Sequence, residues 1–410
     1  MTDIDPSFAA ATLQYHHNAA AVTAAYPEDL AAILGPGEAT AARDEIGTWP
    51  GYAETPLRNL DRLADALGLA GVHYKDEGDR FGLGSFKALG GAYAVLRLLV
   101  REISQQRGQA VEASDVRVGA YRDLARTVTV VTATDGNHGR SVAWGAQQFG
   151  ARCVIYIHAN VSEGRKAAME ALGAEVIRID GDYDESVRRA SADAETNGWF
   201  VVSDTSYEGY LELPRIVMAG YTVMAAEARR QMPPGTAPSH VFLQGGVGGL
   251  AAAVVSDLWA TMGEGRPRVI VVEPDRADCL YRSAVAGRPT AVTITEETIM
   301  AGLSCGEVSD LAWQILERGA DDFITIPDDL IAPAMRGLAA ADYSAEPVVG
   351  GESAVAGLAA LIAARQHDDL SASLGLTAES RILLFGTEGA TDPEIYRAIV
   401  GRDAADIAAA

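Results

Sequence analysis

Between Thr127 and Ser203 the chain alternates short, almost wholly apolar runs with longer stretches whose apolar positions recur at helical spacing. Thr127–Ala133, Cys153–His158, Glu175–Ile179 and Phe200–Ser203 read as strands. His138–Gln148, Glu163–Leu172 and Tyr183–Thr196 read as the helices between them, the first two closed by Gly150 and Gly173. Strands apolar on both faces belong to a parallel sheet covered by helices on each side. A second set follows in His240–Leu243, Arg268–Val272 and Arg381–Phe385, with Leu250–Trp259 as the helix after the first of these. The predicted fold class is α/β, with a small α/β domain over 90–208 inserted in a larger domain made of 1–89 and 209–410. Ligands in such sheets sit outside the carboxyl ends of strands and between domains. The turns that follow the strands are therefore where chemistry is expected.

One such turn is Gly245-Gly246-Val247-Gly248-Gly249, directly after the run His240–Gln244. Glycines let successive backbone N–H groups converge on an anion at a helix N-terminus. There is no Gly-Lys-Ser/Thr to make the turn a nucleotide P-loop. Far upstream, Lys87 stands in Gly84-Ser85-Phe86-Lys87-Ala88-Leu89-Gly90-Gly91. Ser85 is the expected cap of a helix opening near Phe86, which would put Lys87 in the first turn. The positive helix end and the apolar neighbours both disfavour an ammonium there and favour the nucleophilic amine. An amine able to form a Schiff base and a glycine nest able to hold a phosphate together point to pyridoxal 5′-phosphate (PLP). Each alone has a plainer reading, a surface lysine and a strand-to-helix turn.

Three further turns carry polar groups. Thr134-Asp135-Gly136-Asn137-His138-Gly139 follows a strand and opens a helix. There Asn137 is placed to meet the cofactor's ring hydroxyl and Asp135 to act as an acid–base group beside the ring. Asp204 ends the run closing at Ser203 and offers a second carboxylate, unless it only caps a helix. Thr387, in Phe385-Gly386-Thr387-Glu388-Gly389, follows the last apolar run and suits the pyridine nitrogen. A hydroxyl leaves that nitrogen mostly unprotonated, a weaker electron sink that fits β-elimination. A nicotinamide site remains open on the Gly245 turn alone, because Glu273 follows the next strand at the spacing of a ribose-binding acid.

Composition narrows the partners. With 33 Lys and Arg against 56 Asp and Glu, the net charge of −23 opposes binding to nucleic acid or to an anionic membrane. Of 410 residues 48% are apolar, enough for a sizeable core, and no apolar run is long enough to span a bilayer. Three cysteines, Cys153, Cys279 and Cys305, have no metal-ligand spacing, so no metal site is expected. They suit a reducing compartment, and with no signal-like N-terminal run the expected location is the cytoplasm. Whether Cys279 and Cys305 pair stays open against two ordinary buried thiols.

Together Phe81–Gly91, Ala133–Gly139, Asp204–Tyr210, Gly245–Gly249, Met300–Gly306 and Thr387–Asp392, in this order, resemble the fold-type II PLP enzymes. That superfamily holds the tryptophan synthase β-subunit and the serine/threonine dehydratases. The likeness is closer to its diaminopropionate ammonia-lyase branch, because Asp135 stands where the dehydratases carry serine. The resemblance implies two domains of parallel-rich twisted sheets covered by helices, the cofactor in the interdomain cleft, and a homodimer. It implies Lys87 as the Schiff-base lysine, Asn137 at the ring hydroxyl, and Gly245, Gly246, Val247, Gly248 and Gly249 around the phosphate. Thr387 would face the ring nitrogen. It implies loss of ammonia from a small amino acid, 2,3-diaminopropionate, giving aminoacrylate and then pyruvate and ammonia. Asp135 is expected to serve the D-isomer and Asp204 the L-isomer. Ser304 and Glu307-Val308 depart from the branch's Asn-Cys-Gly-Thr-Pro pattern, which bears on the substrate and not on the cofactor. The alternatives are a serine/threonine-type dehydratase, a β-replacement enzyme, a nicotinamide-dependent oxidoreductase, or a binding protein without catalysis.

Overall fold

The computed structural model describes residues 4–134 and 136–409. Its strands, in chain order, are β1 (Gln14–His17), β2 (Leu57–Asn59), β3 (Gly71–Asp76), β4 (Thr129–Ala133), β5 (Arg152–Ile157), β6 (Glu175–Arg178), β7 (Phe200–Val201), β8 (His240–Gln244), β9 (Arg268–Pro274), β10 (Asp322–Ile326) and β11 (Arg381–Gly386). The chain forms two compact units. The first takes in the chain up to Pro36, Glu54–Ser85 and everything from Met224 onward; the second is Gly37–Ala53 with Phe86–Val223.

The first unit is built on a seven-stranded sheet of order β1-β10-β9-β8-β11-β3-β2. The five inner strands run parallel. Short β1 and β2 close the edges antiparallel. β8 and β10 are buried along their whole length, as near-continuous apolar runs require. The helix Ala356–Gln366 is apolar all round and is buried from Ala356 to Ala364. Its Leu358, Leu361 and Ile362 share one core with Phe242, Ile270, Ile324 and Ile382 of the four strands beside it. Each such side chain contributes about 1.5–3 kcal/mol on burial.

The same unit buries a cluster of charges under β3. Lys75, next to the last residue of the strand, donates from Nζ to Glu227 Oε2 (2.7 Å), the Thr55 carbonyl (2.6 Å) and Gln231 Oε1 (3.0 Å). Arg80 Nη2 reaches Glu77 Oε1 (2.8 Å) and Glu227 Oε2 (2.7 Å). All four charged side chains are essentially inaccessible, at 0–1% exposure. Two cations face two carboxylates, so the cluster is neutral as a whole, the condition under which buried charges persist.

The second unit holds a four-stranded parallel sheet of order β6-β5-β4-β7. Val131, Val154 and Tyr156 pack on Ala190 and Ala194 of the helix Tyr183–Asn197. The expected small domain, 90–208, lies wholly inside this unit, which also includes 37–53, 86–89 and 209–223. The early segment is held by aromatic packing. The Trp49 ring lies 5.8 Å from that of Trp144 and 5.4 Å from that of Phe149. Glu45 accepts from both Trp49 Nε1 (3.0 Å) and Arg117 Nε (2.9 Å).

Candidate active site

In the second unit the residues around Lys87 are set by three closely packed helices, Ala88–Arg107, Asn137–Phe149 and the start of Glu212–Gln231. Gly90 makes that approach possible, since a Cβ there would lie 2.4 Å from Tyr221 Cε1 and 2.7 Å from Val217 Cγ1. Ser141 ties two of the helices together at the lysine. Its Oγ donates to the Lys87 carbonyl (2.6 Å) and accepts from Ala92 N (3.1 Å). The helix opens at Ala88 with Lys87 as its N-cap and no side-chain cap. This corrects the expected Ser85 cap: Ser85 forms a β-bridge to Glu388. Lys87 therefore stands just ahead of the first turn, and its side chain is free to turn away from the helix.

Lys87 Nζ donates to Asp204 Oδ2 at 2.5 Å. The two side chains are partly buried, 21% and 17% exposed. The Phe86 and Tyr221 ring centroids lie 5.3 and 5.7 Å from Nζ and wall the pair with apolar faces. Burial alone would raise the Asp204 carboxyl. Lys87 outweighs that and holds it well below the usual carboxylate range. Asp204 is therefore no helix cap but the counterion of the candidate Schiff-base lysine.

Asn137 is the first residue of the helix Asn137–Phe149, directly beyond the β4 turn. The capping oxygen is that of Thr134, whose Oγ1 accepts from Gly136 N and Gly139 N, both at 3.1 Å. Asp135 lies outside the described residues. His138, unremarked in the sequence, points its Nδ1 at Asp204 Oδ2 from 3.8 Å while Nε2 meets the Val202 carbonyl at 2.9 Å. Tyr221, also unremarked, has its hydroxyl raised well above the ordinary phenol range by burial. Tyr221 lies inside an otherwise ordinary helix pattern, and His138, although it stands in a turn already singled out, gives no local sign that it faces Asp204.

In the first unit the glycine turn joins β8 to the helix Gly249–Met262. Gly246 and Gly248 take φ of +60° and +98°, conformations only glycine adopts freely. A Cβ on Gly245 would meet Glu273 Cγ at 2.6 Å. Val247 is pinned by its carbonyl, which accepts from Ser309 N (2.9 Å). Thr387 follows β11 and is buried at 4% exposure. Gln244 Nε2 donates to the Phe385 and Ala354 carbonyls, both at 2.7 Å, and so ties the end of β8 to the end of β11. The turn after Thr387 is bound to the segment leading to Lys87, through Gly389 N to the Gly84 carbonyl (2.9 Å) and the Ser85–Glu388 bridge.

Glu273 does not serve a ribose. Its carboxylate accepts from Leu280 N (3.0 Å) and Tyr281 N (2.7 Å), capping the helix Cys279–Ala286, and it is buried against Gly245. Burial pushes the carboxyl up to about 8. With both oxygens engaged inside the protein, the dinucleotide reading loses the acid on which it rested. Cys153, Cys279 and Cys305 form no disulfide among the described residues.

Each unit offers groups that suit a phosphate-bearing carbonyl cofactor: the first a glycine nest at a helix start and a buried threonine at a strand end, the second a lysine held by a carboxylate among aromatic faces. Fold and site thus define an α/β enzyme of the PLP-using class. The chain belongs to the pyridoxal-phosphate dependent enzyme family, whose model matches residues 48–384. It is 41% identical to the diaminopropionate ammonia-lyase of Salmonella typhimurium over 87% of this chain and 90% of that protein. It is 40% identical to the protein of the same name from Escherichia coli K12, over 90% and 92%. The crystal structure of the E. coli enzyme in complex with D-serine superposes with a TM-score of 0.85 at 37% identity, covering 95% and 97% of the two chains. A structure of that enzyme with an aminoacrylate-PLP azomethine reaction intermediate gives 0.84 at 37% identity, covering 95% and 97%.

Proposed function

We propose that this chain removes ammonia from 2,3-diaminopropionate with PLP, yielding aminoacrylate and finally pyruvate and ammonia. The Lys87–Asp204 pair carries the reading, because it places an amine and a base in contact. Lys87, Asn137, the Gly245–Gly249 turn and Thr387 are the residues that would hold the cofactor. When bound, PLP supplies the electron sink that stabilises negative charge at the substrate's Cα.

The rest is done by the protein. Burial opposes the Asp204 carboxylate and Lys87 favours it, so the group stays ionised and able to accept a proton. Asp204 takes the Cα proton of the L-isomer, and Asp135 that of the D-isomer. Carboxylates also suit a substrate that carries a second ammonium at Cβ. Similarity to two ammonia-lyases at about 40% identity supports diaminopropionate over other β-substituted amino acids. The E. coli relative's complex with D-serine makes a β-hydroxy amino acid the second substrate to assay. The described residues include no helix long and apolar enough to cross a membrane. A cytoplasmic homodimer completes the proposal, in keeping with cysteines that form no disulfide among the described residues and with the prevalence of two-fold symmetric oligomers.

The test is pyruvate release from D- and L-2,3-diaminopropionate by the purified, PLP-loaded protein and by two variants. Asp204→Asn should lower kcat for the L-isomer by about 10²-fold or more while sparing the D-isomer, the scale of a lost general base. Asp135→Asn should do the reverse. Pyruvate from serine or threonine alone would move the substrate to the β-hydroxy amino acids, and equal losses with both isomers would end the division of labour.

A further inference from the structure

We infer that His138 is the proton partner of Asp204, a positioning residue that receives the proton Asp204 takes from substrate. The inference rests on Asp204 acting as a base and adds where its proton goes.

The geometry fixes the tautomer. The Val202 carbonyl can only accept, so the His138 nitrogen 2.9 Å from it, Nε2, carries the hydrogen. A neutral ring then leaves Nδ1 bare. Nδ1 is fully buried, has no hydrogen-bond partner among the described residues, and faces Asp204 Oδ2 at 3.8 Å. A bare nitrogen opposite an ionised carboxylate is acceptor against acceptor, an arrangement that one proton between them would relieve. The groups around the ring oppose each other. Burial lowers the imidazole's proton affinity, Asp204 raises it and the Lys87 ammonium lowers it. With Lys87 Nζ donating to Asp204, the carboxylate is satisfied and the ring stays neutral.

Substrate changes this balance. The Cα–H bond breaks, its electron pair stays on the substrate carbon, and the proton forms an O–H bond at Asp204 Oδ2. That new donor faces Nδ1, and a side-chain shift of under about 1 Å brings the pair within hydrogen-bond reach. Transfer to Nδ1 leaves an imidazolium beside a carboxylate, so Asp204 is ionised again next to the substrate's β-nitrogen. The pair at Cα then forms the Cα–Cβ double bond as the C–N bond breaks with its electron pair on nitrogen. The ammonia so formed takes the proton back through Asp204 and departs as ammonium, and the ring returns to its Nε2–H form.

The test joins an NMR measurement with one substitution. In 15N-histidine spectra of the wild-type, PLP-loaded protein, His138 should show a protonated Nε2 and an unprotonated Nδ1; an Nδ1–H tautomer would overturn the inference. His138→Gln retains a side-chain amide donor for the Val202 carbonyl and removes the basic nitrogen. It should lower kcat for the isomer that depends on Asp204 by about tenfold or more, with KM within about threefold, and leave the other isomer within about threefold. Equal losses for both isomers would mean a merely structural histidine, and no loss for either would sink the relay. Asp204→Asn separates the two layers. If it spares both isomers, the base itself is wrong and the relay falls with it. If it abolishes one isomer that His138→Gln spares, only the relay is wrong.

Discussion

Replacing Glu227 by Gln removes one charge from the buried cluster of Lys75, Glu77, Arg80 and Glu227 while conserving volume. Glu227 Oε2 accepts from Lys75 Nζ and Arg80 Nη2, both at 2.7 Å, and Oε1 accepts from Arg80 Nη1 at 3.0 Å. The amide keeps one acceptor, turns its NH2 toward a donor, and leaves two cations facing one carboxylate. Breaking a buried pair this way costs about 3–5 kcal/mol, because an uncompensated charge stays out of water. At about 2–4 °C per kcal/mol for a domain of this size, the midpoint of thermal unfolding should fall by about 6–20 °C. Urea unfolding and a thermal scan, both at saturating PLP so that cofactor binding is held constant, measure it. Adding Lys75→Met to Glu227→Gln restores neutrality and should recover at least about 2 kcal/mol, a coupling read from the double-mutant cycle. Burial opposes the Glu227 carboxylate, but Arg80 and Lys75 outweigh it and lower its pKa. Its folded-state value thus lies below the unfolded one of about 4.3. The contribution is complete above that pH and is lost as pH falls through the folded-state value. A single variant within about 1 kcal/mol of wild type, or a double variant whose losses merely add, would refute the argument that desolvated charge governs this site.

Two further outcomes follow from packing and titration. Glu273, with its carboxyl pushed up to about 8, holds a proton in the folded state that the unfolded chain gives up near 4.3. Its stabilisation is complete at low pH and fades as pH rises toward 8, with a slope of up to about 1.4 kcal/mol per pH unit. Glu273→Gln should flatten that slope in urea titrations between pH 5 and pH 8, whatever it does to the absolute stability. Gly90→Ala places a methyl 2.4 Å from Tyr221 Cε1. It should cost about 1–3 kcal/mol through overpacking. It should also slow turnover of both isomers, because the shifted Tyr221 ring walls Lys87; a fully active, equally stable variant would contradict the close approach.

Much of the frame was legible because its signal is local. β4 to β7 and their helices follow the alternation of apolar runs and amphipathic stretches to within a residue or two, and Gly150 closes its helix in the left-handed conformation expected of it. β3 was not legible. It includes Lys75, a residue that reads as solvent-facing until Glu227, some 150 positions later, neutralises it. Short β1 and β2 carry polar residues because each pairs on one side only. Residues 37–53 fell outside the expected small domain because what holds them, Trp49 on Trp144 and Phe149, is a long-range aromatic contact without periodicity. At the site, Lys87, Asp204, Thr387 and the glycine turn could be picked out from turn position and residue chemistry. Ser85 misled, since a serine before a helix looks like a cap whether or not the helix begins there. His138, Tyr221 and Gln244 stayed invisible because their roles depend on partners brought in by other elements.

The seven-stranded sheet places its last-made strand near its middle. β11 lies between β8 and β3 and satisfies one edge of each. On the ribosome β3 emerges roughly 300 residues before that partner, an interval of about 15–60 s at ordinary elongation rates. Throughout it β3 has only three-residue β2 beside it, and the Gly84 and Ser85 backbone awaits Gly389 and Glu388. The second unit's sheet is complete once β7 has been made. The nascent chain therefore carries an open β edge for most of its synthesis, and that edge is the surface a chaperone would have most reason to shield.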